Sequence, residues 1–259
     1  MRTTVLGSLL DAARANLSRD ADRVALFESG RVYLPVDPPA DEFPGDRPAP
    51  FAEPHRIACL AVGPLVPAAW RGGGEPADFF AVKGVLEALA AALGAPLSFE
   101  ADGEPFLHPG RAARVSIAGA AAGWIGEVHP LVCRSWDVEA ATGFEIDLAA
   151  LLAAASAGEE IYEDVTSFPA VYQDLAVVLP AETSSAGVRD AVLAAGGELL
   201  RSAEVFDLYE GEQLGDDRKS LALRLEFRAA DRTLTDEEVA GLRGEIEARL
   251  GEIGGTLRG

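Results

Sequence analysis

The sequence predicts an α+β chain in two parts. The first is a module built on a largely antiparallel sheet, and the second is a smaller unit in the order β-α-β-β-α-β. Three observations carry this. Apolar residues recur at spacings of three and four in four separate stretches, the mark of amphipathic helices. Short apolar or alternating runs lie between them, punctuated by Gly and Pro. Around residues 159–167 the pattern changes register, and from Phe168 onward it becomes strand, helix, strand, strand, helix, strand.

The elements follow in order. Leu6, Leu9, Leu10, Ala13 and Leu17 predict a helix over residues 5–17, weakened at Gly7. Residues 24–27 and 31–34 read as two strands around Ser29-Gly30. Residues 35–54 hold seven prolines and read as a loop, since proline donates to neither ladder. Residues 57–62 predict a buried strand, and residues 71–76 a Gly-rich loop. Asp78 is the candidate N-cap of a helix whose stripe is Phe79, Val82, Leu86, Leu89 and Leu93, stopped by Gly94. Strands are expected at residues 97–100, 113–117, 122–128 and 144–148.

In the second part, residues 175–179 form a strand, and Thr183 or Ser184 caps a helix that Gly196-Gly197 ends. Residues 203–209 and 219–228 are two strands. The latter alternates cleanly, with Leu221, Leu223, Leu225 and Phe227 on one face and Ser220, Ala222, Arg224, Glu226 and Arg228 on the other. Thr235-Asp236-Glu237-Glu238 is a capping box ahead of Val239, Leu242, Ile246 and Leu250. Residues 256–258 close the unit as a short strand. This order is the ferredoxin-like split pattern, with helices on one sheet face and the other face free.

Composition narrows the function classes. The 259 residues carry 22 Lys and Arg against 42 Asp and Glu, a net charge of −20. That argues against nucleic acid bound across the whole surface, because phosphate neutralisation needs clustered cations. Residues 166–259 alone hold 10 basic and 18 acidic side chains, a balance of −8. Cys59 and Cys133 stand outside any zinc-ligand spacing, so reduced thiols and no metal site are expected. No apolar run of 18 residues exists, and Asp11 and Arg14 interrupt the N-terminal one without a cleavage signature. A cytoplasmic protein with no membrane partner is the expectation.

Residues 166–259 resemble the ferredoxin-fold anticodon-binding domain at the C-terminus of the bacterial phenylalanyl-tRNA synthetase β subunit. The resemblance rests on Ser167-Phe168-Pro169-Ala170-Val171, Asp174-Leu175-Ala176, Val205-Phe206-Asp207-Leu208-Tyr209-Glu210-Gly211, Lys219-Ser220-Leu221-Ala222, and Arg232-Thr233-Leu234-Thr235-Asp236-Glu237-Glu238-Val239. Upstream, Leu26-Phe27-Glu28-Ser29-Gly30-Arg31-Val32, Asp78-Phe79-Phe80-Ala81-Val82-Lys83-Gly84, Phe106-Leu107-His108-Pro109-Gly110-Arg111 and Gly126-Glu127-Val128-His129-Pro130 look like the catalytic-like module of the same subunit. The resemblance implies a class II synthetase-like module over residues 1–160 and the anticodon-binding domain over residues 166–259. Family β subunits run to about three times this length, so the chain reads as a C-terminal piece of one.

The family implies a partner α subunit, an α2β2 holoenzyme, tRNA(Phe) as substrate, and ATP and Mg²⁺ used by the holoenzyme. It implies no catalytic residue and no cofactor here, and no DNA. Class II cores aim arginines at the nucleotide phosphates; Phe27-Glu28 lacks the preceding motif arginine, and Gly72-Gly73-Gly74 runs into Glu75-Pro76 rather than a helix with a basic residue.

The candidate RNA contacts are Tyr172, Gln173, Tyr209, Arg218, Lys219, Arg224, Arg228 and Arg258. RNA modules stack bases on aromatics of a free sheet face and set arginines near phosphates. Ordinary surface charge is the competing interpretation, and Glu226 between Arg224 and Arg228 weakens the patch. Tyr172 and Gln173 stand where the family usually carries basic residues, so weak tRNA binding by this chain alone is expected. Phe79, Phe80, His108 and His129 are candidates for the α-subunit interface, against core packing for the phenylalanines and local turn hydrogen bonds for the histidines. A free-standing RNA-binding or scaffold protein is the alternative in a different class.

Overall fold

A computed structural model describes residues 1–35, 51–70, 72–155, 168–215 and 217–258. The chain divides into two compact units, residues 1–161 and 162–259. Most of the proline-rich stretch and the stretch where the pattern changes register lie outside the described residues.

The first unit opens with α1 (Leu6–Leu17), burying Leu6, Leu9, Leu10 and Ala13. Then come β1 (Val24–Arg31), β2 (Leu34–Pro35), β3 (Phe51–Ala52), β4 (His55–Val62), β5 (Pro64–Val66) and β6 (Glu75–Pro76). They are followed by α2 (Phe79–Ala92), β7 (Leu97–Ala101), β8 (Leu107–Ile117), β9 (Ala120–Val128), α3 (Pro130–Ser135), β10 (Thr142–Asp147) and α4 (Leu148–Ala154). Six strands form one sheet in the order β1-β4-β10-β9-β8-β7, antiparallel at each pairing. Two cores sandwich it. Leu60, Val62, Trp124 and Val128 meet α1 on one face. Val115, Ile125, Phe144 and Ile146 meet Val82 and Leu86 of α2 and Leu151 of α4 on the other. Both faces being covered, β10 is buried at every position but its last.

Burying both faces forces a polar solution. Glu145 of β10 is 5 % exposed, and its Oε2 accepts hydrogen bonds from the Thr4 hydroxyl at 2.6 Å and the Val5 amide at 2.8 Å. Val5, the N-cap position of α1, has no capping side chain of its own. The carboxylate therefore satisfies an orphan amide from another element and sets negative charge against the helix N-terminus.

Three local expectations change. Ser29-Gly30 is not a turn: β1 runs through it, paired with β4 from Val24 to Arg31. The Arg2 guanidinium folds over Gly30, where a β-carbon would displace its flexible end; it binds Glu28 at 2.5 Å and the Arg31 carbonyl at 3.1 Å. The expected strand over residues 144–148 stops at Asp147, whose carboxylate caps α4 through the Ala150 amide at 3.0 Å. The expected loop over residues 71–76 ends in β6, paired with β5.

The second unit runs β11 (Val171–Pro180), α5 (Ser185–Gly196), β12 (Leu200–Tyr209), β13 (Arg218–Phe227), α6 (Asp236–Glu252) and β14 (Thr256–Leu257). Its sheet has the order β12-β13-β11-β14, again antiparallel, which is the ferredoxin-like arrangement. Leu175, Val177, Leu179, Leu221, Leu223, Leu225 and Phe227 pack under Val188 and Val192 of α5 and Val239, Ile246 and Leu250 of α6. Ser184 is the N-cap of α5, and the capping box of α6 forms in both directions. Arg232 reinforces that box at 2.7 Å from Glu238. The Thr235 amide and then Arg232 hold the Glu238 carboxyl down at about 2.

Among the described residues no helix is long and apolar enough to cross a membrane, and no group of three or more His, Cys, Asp or Glu is placed to hold a metal ion. Both cysteines are free thiols that burial pushes up in pKa, away from the reactive thiolate.

Candidate nucleic-acid interface

On β13 the leucines and Phe227 face the helices, so the alternate residues face away from them. Register carries the same face onto the neighbours. Arg224 lies opposite Asp174, Glu226 opposite Tyr172, Ala222 opposite Ala176 and Ser220 opposite Val178 on β11. On the other side Ser220 lies opposite Tyr209 of β12.

This face carries two cation–aromatic pairs. In the first, the Arg258 guanidinium sits 5.8 Å from the centre of the Tyr209 ring. Tyr209 belongs to the β12 edge, and Arg258, tied by its amide to the Ala176 carbonyl at 2.9 Å, follows β14 at the opposite edge. They meet because Ala176, Ala222 and Ser220 on the two strands between are short. Gly211 makes room as well, since a β-carbon there would lie 2.6 Å from the Tyr209 hydroxyl.

The second pair is Arg224 with Phe206, 5.2 Å from guanidinium to ring centre. A bulge between Val205 and Asp207 puts Phe206 out of register on β12, and its ring stays 53 % exposed. Arg224 also makes a fork to Asp174, Nε to Oδ1 at 3.0 Å and Nη2 to Oδ2 at 3.1 Å. Those hydrogen bonds lower the Asp174 pKa. Tyr172, 60 % exposed, borders a groove of about 460 Å³ with Asp174 and Arg224.

The sequence-predicted contacts divide. Tyr172, Tyr209, Arg224 and Arg258 come together on this face. Arg228 shares it and pairs with Glu226 at 3.4 Å, leaving its buried Nε without a partner. Arg218 turns to the Val178 and Gly254 carbonyls at 3.4 and 3.3 Å. Gln173 and Lys219 do not join the group. Gln173 lies opposite Leu225, on the helix side, and accepts a hydrogen bond from Arg243 of α6 at 3.3 Å. The Lys219 ammonium donates to the Ala181 carbonyl at 2.7 Å. Adjacent strand residues point to opposite faces, so neither Tyr172 with Gln173 nor Arg218 with Lys219 could share one. Phe206 and Asp174 are the residues the sequence reading missed. Pairing register would have indicated Asp174; the bulge that exposes Phe206 has no sequence signal.

In the first unit Phe79 and Phe80 meet edge to face, with centroids 5.4 Å apart. Phe79 packs on the core beside α2, whereas Phe80 is 77 % exposed. Both border a groove of about 590 Å³ with Lys83, Phe99, Arg111 and Glu127. His108 and His129 each accept, through Nδ1, the amide two residues ahead: Gly110 at 3.1 Å and Leu131 at 3.2 Å. His129 thereby caps α3. These are local turn bonds.

An exposed aromatic and arginine face on a ferredoxin-like sheet defines a class, and a family model described as "Ferredoxin-fold anticodon binding domain" matches residues 166–258. A second, "Phenylalanyl tRNA synthetase beta chain CLM domain", matches residues 1–148. Curated phenylalanine–tRNA ligase β subunits align along the chain. That of Symbiobacterium thermophilum is 40 % identical over 100 % of this chain and 28 % of its own length. That of Cutibacterium acnes is 39 % identical over 99 % and 32 %, and that of Moorella thermoacetica 40 % over 100 % and 31 %. The chain therefore belongs to the phenylalanyl-tRNA synthetase β chain family and corresponds to the C-terminal region of that subunit. It spans about a third of the length of these relatives.

Proposed function

We propose that this chain serves phenylalanine–tRNA ligase as a positioning part rather than a chemical one. The second unit binds the anticodon arm of tRNA(Phe) on its free sheet face, and the first is a class II synthetase-like platform that docks the catalytic α subunit. The observation that carries this is the free face itself, where Tyr209 with Arg258 and Phe206 with Arg224 stand exposed in a domain of an anticodon-binding family. Fixing the anticodon arm sets where the acceptor end falls, and misplacing a reacting group by about 1 Å can lower a rate roughly 100-fold.

ATP and Mg²⁺ belong to the holoenzyme's reaction, and the residues here do not suit them. Phe27 occupies the strand position before Glu28. The Glu28 carboxylate is taken up by Arg2 and by the Ser8 hydroxyl at 2.8 Å, and Asp147 by the α4 cap and Arg56. The setting is a cytoplasmic α2β2 assembly, with no DNA or membrane partner. Of the interface candidates, exposed Phe80 suits contact with the α subunit better than Phe79 or the two turn-bonded histidines.

The test is low-salt filter binding of tRNA(Phe) to the chain and to Arg224→Ala and Arg258→Ala. Each is expected to weaken binding about 3- to 10-fold. Unchanged affinity and unchanged salt slope for both variants would refute the RNA reading. Failure to co-purify with an α subunit, with RNA binding retained, would favour a free-standing RNA-binding protein instead.

A further inference from the structure

We infer that the groove at the start of α2, in the first unit, binds a small aromatic zwitterion, the chemical class of a free aromatic amino acid. This rests on neither the anticodon-arm reading nor the docking reading.

The body of the groove is apolar and ring-lined. Phe79 and Phe80, meeting edge to face in the first turn of α2, form one wall. Phe99 of β7 adds a third ring, and Ala101, Ala112 and Ala113 are short enough to leave about 590 Å³ between the elements. Small-molecule sites typically enclose roughly 300–1,000 Å³ with a few polar groups at one end. Lys83 does not supply such a group, because its ammonium pairs with Glu87 and lies 4.4 Å from the centre of the Phe99 ring.

The polar groups come from an irregularity in the sheet. β8 takes five residues from Leu107 to Ala112, while β9 takes two from Val128 to Gly126. Glu127 is the β9 residue between those pairings, and Arg111 stands in the extra length of β8. They meet at the edge of the groove, with Nη1 of Arg111 donating to Oε2 of Glu127 at 2.8 Å. Departures from regular pairing re-aim side chains in this way, often beside functional sites. Asp78 borders the same groove, and its Oδ1 accepts the Ala81 amide at 2.8 Å.

All three groups are only partly engaged. A guanidinium has five N–H donors, and Arg111 uses Nη1 alone while its side chain stays 59 % exposed. Glu127 keeps Oε1 and Asp78 keeps Oδ2 for a further donor. Both carboxylates also border the adjoining groove of about 540 Å³, so they stand where the two spaces meet. A carboxylate alone would find Arg111 but also face Asp78 and Glu127. An amine alone would find the two acids and leave Arg111 unused. A ligand carrying both charges next to a ring matches the donors, the acceptors and the apolar wall together.

The experiment is an amide NMR titration of the full chain with L-phenylalanine, phenethylamine, 3-phenylpropionate and L-alanine. The three analogues lack the carboxylate, the ammonium and the ring respectively. L-phenylalanine is expected to bind with a Kd on the order of 1 mM, as suits a small ligand in an open groove. Phenethylamine should bind about 5-fold more weakly, and 3-phenylpropionate and L-alanine more than about 10-fold more weakly. Arg111→Met should weaken L-phenylalanine about 5-fold without weakening phenethylamine, whereas Glu127→Gln should weaken phenethylamine and strengthen 3-phenylpropionate. Phe80→Ala should weaken every ring-bearing ligand about 3-fold. Melting curves check that each variant folds, and Phe80→Leu and Arg111→Lys stand in for any that does not. The inference is wrong if the wild type gives no saturable shifts with L-phenylalanine, or if 3-phenylpropionate binds as tightly. It is also wrong if Arg111→Met and Phe80→Ala both leave L-phenylalanine binding unchanged, which would put the ligand elsewhere.

Discussion

The two sheets of this chain are both antiparallel and both built on alternating apolar residues, yet they use their faces differently. The six-stranded sheet of the first unit has a core on each face. The four-stranded sheet of the second has α5 and α6 on one face and leaves the other to solvent. A doubly covered sheet has no room for exposed chemistry in its middle, and any charge there must be satisfied internally, as Glu145 is. A singly covered sheet sends every second residue outward, and there the aromatics and arginines collect. The difference teaches that the candidate site follows from what the helices leave uncovered.

The largest expected effect tests the buried side of this contrast. Glu145→Ala should destabilise the first unit by about 3 kcal/mol, because the Thr4 hydroxyl and Val5 amide are left buried without an acceptor. Chemical denaturation measures it, and a loss below about 1 kcal/mol would mean that water or a shift of α1 replaces the carboxylate. Next come the paired phenylalanines. Phe79→Ala should cost about 2 kcal/mol of stability and Phe80→Ala less than about 0.5, since only the first packs on the core. Equal losses in thermal melts would place both in the core and remove Phe80 as a docking residue.

The second unit should be the one that responds to acid at its surface. The Glu238 carboxyl falls from 4.5 to about 2 on folding. Its folded pKa is the depressed one, so its stabilising effect is complete above about 4.5 and fades as pH drops towards 2. Glu238→Gln should therefore narrow the difference in melting temperature between pH 6 and pH 3; an unchanged difference would discount the capping-box carboxylate. The smallest effect separates function from stability. Gly211→Ala crowds the Tyr209 hydroxyl, so RNA affinity should fall about 3-fold while the melting temperature hardly moves. A matching loss of stability would mean that Gly211 serves the fold.

Much of this was legible in the sequence, for identifiable reasons. Helical spacing and the cap candidates Asp78, Thr183 or Ser184, and Thr235 located α2, α5 and α6, because caps and stripes are local signals, and the structure settles the α5 cap on Ser184. The alternation of residues 220–228 marked the free face of β13. Ser29-Gly30 looked like a turn because glycine for close approach and glycine for a bend look alike until Arg2 is seen folding back. Asp147 was hidden as a cap because the apolar run continues past it into α4. Glu145 gave no sign of burial, since its partners stand 140 positions away. At the site, strand alternation puts Gln173 and Lys219 on the helix side, whereas Phe206 sits at a bulge in β12 that only pairing reveals.

The charge matching on the free sheet also has a kinetic side. Arg224 and Arg228 are matched by Asp174 and Glu226, and the chain as a whole carries −20. Such a surface sets up no attractive long-range field for a polyanion, and the surrounding charge repels one. On the proposed reading, encounter is unsteered, near or below the roughly 10⁵–10⁶ M⁻¹s⁻¹ typical of neutral partners. Moderate salt should then quicken arrival by screening the repulsion. Discrimination between one RNA and another is left to the lifetime of the complex once its bases have found their rings.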